Sequence, residues 1–74
     1  MPDAPHTLIA LGYQARREER LEDAERYFAQ AAEFSRDTGD RAGLGQSLTG
    51  LGQIERDRKN SALALQHYRD AANI

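Results

Sequence analysis

The chain has 74 residues, ten basic and twelve acidic side chains, a net charge of −2 and no cysteine. A chain this short makes one small domain at most, has no disulfide framework and no thiolate metal site, and lacks the basic excess of a dedicated nucleic-acid binder. No apolar run approaches a membrane span or the core of a signal peptide, so the expectation is a cytoplasmic chain with no membrane and no nucleic-acid partner.

Both prolines, Pro2 and Pro5, lie in the first five residues. Ala, Leu, Arg, Glu and Gln dominate the rest, and these residues favour helix. The fold class is therefore all-α. Residues 1–4 form a short lead-in. Pro5 suits a first helical turn, where its missing N–H costs nothing. The first helix is predicted over 5–18, with Leu8, Leu11, Gly12 and Ala15 on one buried face. Ile9 and Tyr13 stand on an adjoining face, four apart. The charged run Arg16 to Arg20 marks a turn.

A second helix is predicted over 21–37. Glu22 and Asp23 suit the positive end of its dipole. Ala24, Phe28, Ala31 and Phe34 or Ser35 line its inner side, and the two alanines permit close approach of a neighbour. Gly39 is suited to the left-handed residue just past a helix end, and Asp40 to the cap of the next helix. That third helix, over 41–58, holds Gly43, Gly45, Gly50 and Gly52. Each interior glycine weakens a helix by about 1 kcal/mol relative to alanine, so this helix must be held by packing. Leu44, Leu48, Leu51 and Glu55 share a stripe with Ile54 beside it. Asn60 is expected in the left-handed turn and Ser61 as the cap of a last helix, whose face is Ala64, Leu65, Tyr68, Ala71 and Ala72. That helix looks cut short at Ile74.

The chain repeats itself at an offset of 40 residues. Leu8, Leu11 and Gly12 recur as Leu48, Leu51 and Gly52. Arg16 recurs as Arg56, Ala24 as Ala64, Phe28 as Tyr68, and Ala31-Ala32 as Ala71-Ala72. A fixed period of this size points to a helical repeat array.

This pattern resembles the tetratricopeptide repeat. That family places a large apolar residue and then Leu-Gly on its helix A, followed by Ala, an aromatic and Ala on helix B. Leu8…Leu11-Gly12 with Ala24…Phe28…Ala31 is one copy, and Leu48…Leu51-Gly52 with Ala64…Tyr68…Ala71 is the other. The resemblance implies two tandem antiparallel helix pairs, over 5–38 and 39–74, forming a fragment of a right-handed α-solenoid. The family's usual repeat is about 34 residues. The longer period here resembles the branch seen in kinesin light chains, polarity adaptors and many bacterial regulators. Where the family often has glycine between helices A and B, this chain has Glu19 and Lys59, so those turns are expected to be looser or shifted.

The function that the resemblance implies is a protein-interaction module, not an enzyme, that binds a peptide or helix on the concave face of its A helices. It places Ile9, Tyr13, Arg16 and Arg17 of the first helix near that groove, and Thr49, Gln53, Arg56 and Asp57 of the third. Arg16 and Arg56 could form a basic ladder for acidic groups, and Tyr13 suits an interface. The family's carboxylate clamp uses Lys and Asn where this chain has Ile9, Tyr13, Thr49 and Gln53, so that mode is not expected. The alternative is self-association into a homodimer through exposed repeat ends, with Leu65, Tyr68, Ala72 and Ile74 as contacts and the outer face of the first pair as a second candidate. A further alternative is that the chain is a piece of a longer array in a bacterial regulatory protein.

Other chemistry is set aside. The glycines of the third helix follow no strand and precede no Gly-Lys-Ser/Thr, so they are not a phosphate loop. Ser47 stands in no nucleophile elbow. His6 and His67 have no partner at ligand spacing. No cofactor and no metal are expected.

Overall fold

The computed structural model describes residues 4–74. They form four helices: α1 (Ala4–Arg17), α2 (Leu21–Thr38), α3 (Arg41–Asp57) and α4 (Ser61–Ala72). Of the lead-in, residues 1–3 lie outside the described residues, while Ala4 already opens α1. Pro5 is then the second helical residue and needs no N–H partner. The charged run is divided: Arg16 and Arg17 end α1, and only Glu18 to Arg20 form the turn.

Neighbouring helices run antiparallel, and paired contacts show it. Gly12 of α1 meets Phe28 of α2. Phe28 also meets Gly50 of α3, and Ser35 meets Gly43 further along the same pair. Gly52 of α3 lies against Tyr68 of α4, and Gly45 lies near Ile74. The 40-residue offset is thus a repeat in space, because Gly12 is to Phe28 as Gly52 is to Tyr68. Helix α2 packs on both α1 and α3, α1 makes a smaller contact with α3, and α4 packs on α3 alone among the described residues.

All three turns close in the same way. Gly39, Glu19 and Lys59 take left-handed backbone with φ of 76°, 62° and 64°. In each, the next N–H reaches back to a carbonyl five residues earlier: Arg20 to Ala15 at 2.9 Å, Asp40 to Ser35 at 2.8 Å and Asn60 to Glu55 at 2.8 Å. This is the Schellman arrangement, which satisfies carbonyls left free at a helix end. The turns at Glu19 and Lys59 are therefore as tight as the one at glycine, contrary to the looser geometry expected. Two non-glycine residues carry a strain of about 1 to 2 kcal/mol each, offset by those bonds. Lys59, not Asn60, is the left-handed residue. Asn60 serves as the cap instead of Ser61, its side-chain oxygen accepting from the Leu63 N–H at 3.4 Å. The cap at Asp40 forms as expected, its carboxylate accepting from the Gly43 N–H at 2.9 Å.

The core is one side chain deep. Phe28 and Ile54 are its large, fully buried members, joined by Ile9, Ala15, Ala24 and Ala31. Leu8, Tyr13, Leu21, Tyr27 and Leu51 close over them from the edges. Three sequence expectations shift. Leu11, expected inside, is 37% exposed, and Ile9 takes the interior place. Of Phe34 and Ser35, it is Ser35 that is buried. Ile54, placed beside the stripe, is the fully enclosed apolar side chain of α3, because α2 lies on the side of that helix carrying Gly43, Ser47, Gly50 and Ile54.

Candidate protein-interaction surface

Helix α3 has four sides, set by its period of 3.6 residues. Gly43, Gly50 and Ile54 face α2, while Gly45 and Gly52 face α4. Leu44, Leu51 and Glu55 stand on a third side, where Leu51 packs against the core. Glu55 is buried there and ion-paired with Arg58 at 3.1 Å, and Arg58 also bonds Glu25 of α2 at 3.1 Å. The remaining side carries Ala42, Gln46, Thr49, Gln53 and Arg56, and along it runs a groove.

The groove holds about 310 Å³ and is walled by Tyr13 of α1, by Arg41, Ala42, Gly45, Gln46 and Thr49 of α3, and by Ala71 and Ile74 at the end of α4. Its lining is uncharged apart from Arg41, with Gln46 and Thr49 as polar members among Tyr13, Ala42, Gly45, Ala71 and Ile74. The Tyr13 ring is held by Phe28, which it meets edge-on with centroids 5.0 Å apart and planes at 79°. That is a favourable aromatic geometry, so the tyrosine is a rigid wall. Gly45 keeps the floor low where Ile74 leans over it.

A second hollow of about 450 Å³ lies where α1 and α3 end, lined by Arg16, Arg17, Glu19, Leu21 and Asp57. A two-point ion pair crosses it. Arg16 donates through Nε to one Asp57 oxygen at 2.7 Å and through Nη2 to the other at 3.1 Å. The Arg16 hydrogen bond holds the Asp57 carboxyl below its ordinary value of 3.8, with the charges of Arg16 and Arg56 adding to it. In return, the hydrogen bond to Asp57 raises the Arg16 guanidinium.

This pair makes a checkable pH dependence. A carboxyl whose folded pKa is depressed adds stability that is complete above the unfolded value and disappears as pH falls through the folded one. Both side chains remain about a third exposed, at 27% and 31%, so the pair contributes about 1 kcal/mol at most. Urea unfolding of the protein and of Asp57→Asn should differ by that amount at neutral pH. The difference should close as pH falls through and below the usual carboxylate range. A difference that persists in strong acid contradicts the assignment.

The expected contact residues are distributed unevenly. Tyr13 and Thr49 line the groove, and Arg17 lines the second hollow. Gln53 is half-buried, its side-chain oxygen enclosed with no hydrogen-bond partner among the described residues. Arg56 is exposed on the same side. Ile9 is only 7% exposed and belongs to the core. Arg16 is engaged by Asp57, so the basic ladder of Arg16 and Arg56 is not available as such. The sequence reading missed Arg41, Ala42, Gln46 and the end of α4. The first three stand three to eight residues before Thr49 on the same side of α3, so the helical period could have found them.

The residues read as self-association contacts divide in two. Leu65 is 50% exposed and Ala72 is open, while Tyr68 is half-covered by its contact with Gly52. Ile74 instead forms the groove wall. It follows Leu65 by nine positions, about half a turn out of phase. The outer flank of α1, expected to be apolar, presents Thr7, Ala10, Gln14 and Arg17 to solvent.

Among the described residues, no group of three or more His, Cys, Asp or Glu could hold a metal ion. No helix is long and apolar enough to cross a membrane. A family model described as tetratricopeptide repeat matches residues 3–74. No curated protein and no solved structure matches the chain. Repeats of this kind are in general protein–protein interaction modules and typically non-enzymatic scaffolds. Two helix pairs in the register of the Leu-Gly and aromatic positions, matched over almost every residue, place this chain in the tetratricopeptide repeat family.

Proposed function

We propose that this chain binds a segment of a partner protein along the free side of α3, with an apolar side chain of that segment seated between Tyr13 and Ile74. The observation that carries this reading is the groove itself: a hollow with a rigid aromatic wall, a glycine floor and one charged group, Arg41. Convergent apolar walls with few polar groups are what peptide and ligand sites share. Arg41 stands at one end and favours an acidic residue beside the apolar anchor. Arg17 and Arg56 lie toward the other end of the helices, so the longer segment carries acidic residues on both sides of its anchor. The surface is too small for more than a few residues in close contact.

A random-peptide display selection against the intact chain tests this. Recovered peptides should carry an aliphatic or aromatic residue with flanking Asp or Glu. Binding should fall at least tenfold for Tyr13→Ala and for Thr49→Arg, which fills the groove while remaining helical. Peptides bound equally well by both variants, or a selection that yields none, would overturn the reading.

A further inference from the structure

The charged residues that close α1 and α3 depart from the repeat at one position. In the 40-residue register Arg16 answers to Arg56, but Arg17 answers to Asp57. Asp57 is the last residue of α3, where the partial negative charge of the helix end disfavours a carboxylate and favours the arginines beside it. The turn needs nothing from this side chain. The carbonyls of Ile54, Glu55 and Arg56 are taken by the N–H groups of Arg58, Asn60 and Lys59. What holds the carboxylate is Arg16, whose Nε and Nη2 donate to its two oxygens at 2.7 and 3.1 Å.

That two-point geometry is how a guanidinium takes any carboxylate, and here it is displaceable. The two side chains are 27% and 31% exposed, and a pair this open to water contributes little. The hollow of about 450 Å³ around it holds more positive charge than one carboxylate requires. Arg17 lines it and Arg56 adds its charge at Asp57. Neither has an ion-pair partner among the described residues. Glu19 is the opposing charge in the lining, and Leu21 supplies an apolar patch for the methylenes of a long acidic side chain.

We propose that this hollow receives the acidic side chains of a partner segment, and that Asp57 is its internal occupant, holding Arg16 until a partner's carboxylate takes its place. Asp57 then sets how acidic the partner must be. One isolated carboxylate gains little over the contact it displaces, whereas several in a row engage Arg16, Arg17 and Arg56 together. The inference rests on the peptide reading only in that a partner segment binds; it needs no apolar anchor between Tyr13 and Ile74.

The probe is a capped tetraglutamate peptide, with capped tetraglutamine as its neutral match. Binding is followed through the amide resonances of Arg16, Arg17 and Asp57 at constant ionic strength. Asp57→Asn should bind tetraglutamate about three- to fivefold more tightly than the protein does, the range set by the strength of an exposed pair, although its fold is less stable. These opposite signs separate a masked site from a structural strut, whose loss brings no gain in binding. Asp37→Asn makes the same change of charge at the opposite end of α2 and should gain nothing. Adding Arg16→Gln to Asp57→Asn should abolish the gain. Arg17→Gln, at an exposed position, should weaken binding in the otherwise unaltered protein and keeps the test decisive if the other variants misfold. Tyr13→Ala should leave tetraglutamate binding unchanged, so a failure of the groove is distinguishable from a failure of this site. No gain with Asp57→Asn, an equal gain with Asp37→Asn, a gain that survives Arg16→Gln, unweakened binding by Arg17→Gln, or equal binding of tetraglutamine would each overturn the proposal.

Discussion

Replacing Phe28 with alanine should leave the chain largely unfolded at room temperature. Phe28 of α2 meets both neighbouring helices at once, its ring lying against Gly12 of α1 and Gly50 of α3. It is fully buried, and among the described large apolar residues only Ile54 shares that status. Truncating a buried phenylalanine typically costs about 3 to 5 kcal/mol. A chain of 74 residues has roughly 4 to 11 kcal/mol of total stability, and a core one side chain deep places this one toward the lower end. The small neighbours cannot collapse into the space, because glycines and alanines have no atoms to move. The loss of helical circular dichroism at 25 °C, or a urea midpoint near zero, is the expected reading. A variant with more than two-thirds of the parent stability would mean that Ile54 and the turns hold the stack without the ring.

Two glycines of one helix should respond to alanine with opposite signs. On propensity alone each substitution gains about 1 kcal/mol. At Gly50 the added Cβ would lie 2.6 Å from ring carbons of Phe28. The ring is pinned by Gly12 behind it, where a Cβ would come within 2.8 Å, so it cannot retreat. Overpacking of this kind costs about 1 to 3 kcal/mol, and here it occurs at the centre, so Gly50→Ala should be net destabilising by about 1 to 2 kcal/mol. At Gly45 the nearest atom is Cδ1 of Ile74 at 3.7 Å, an ordinary contact. Gly45→Ala should therefore raise stability by about 0.5 to 1 kcal/mol. Chemical denaturation of the two variants beside the protein decides this, and the same sign for both would contradict the packing argument.

The repeat was legible because its signature lies in residue identity, not in propensity. An aromatic at 28 and 68 needs a helix without a side chain opposite, and Leu-Gly at 11–12 and 51–52 announces where that helix crosses. The helix pairs follow, as does the stop at Gly39 with its cap at Asp40. Less legible was which member of each apolar pair turns inward. Ile9 and Leu11 flank the same stripe by one position either way, and only tertiary packing decides that Ile9 turns inward while Leu11 stays 37% exposed. The left-handed turns at Glu19 and Lys59 were misread because residue preference argues against them. What overrides preference is the pair of hydrogen bonds that each turn closes, and these depend on where the preceding helix ends. The groove was half-legible: the resemblance to the repeat family placed Tyr13 and Thr49 near it, whereas Ile74 reaches it only because α4 runs back along α3. The pairing of Arg16 with Asp57 joins residues 41 positions apart and cannot be read from local spacing.

Helix α4 touches α3 and no other helix among the described residues. Its hold is thus a single interface, and opening it leaves the three helices around Phe28 intact. Such a segment belongs to the low-stability end of a protein's spectrum of partial openings. Ala71 and Ile74 leave with it, and they are one wall of the groove. Whatever rests between Tyr13 and Ile74 adds its own free energy to the closed arrangement, as any ligand does that prefers one of two states. Occupancy of the groove and order of the last helix are then one equilibrium.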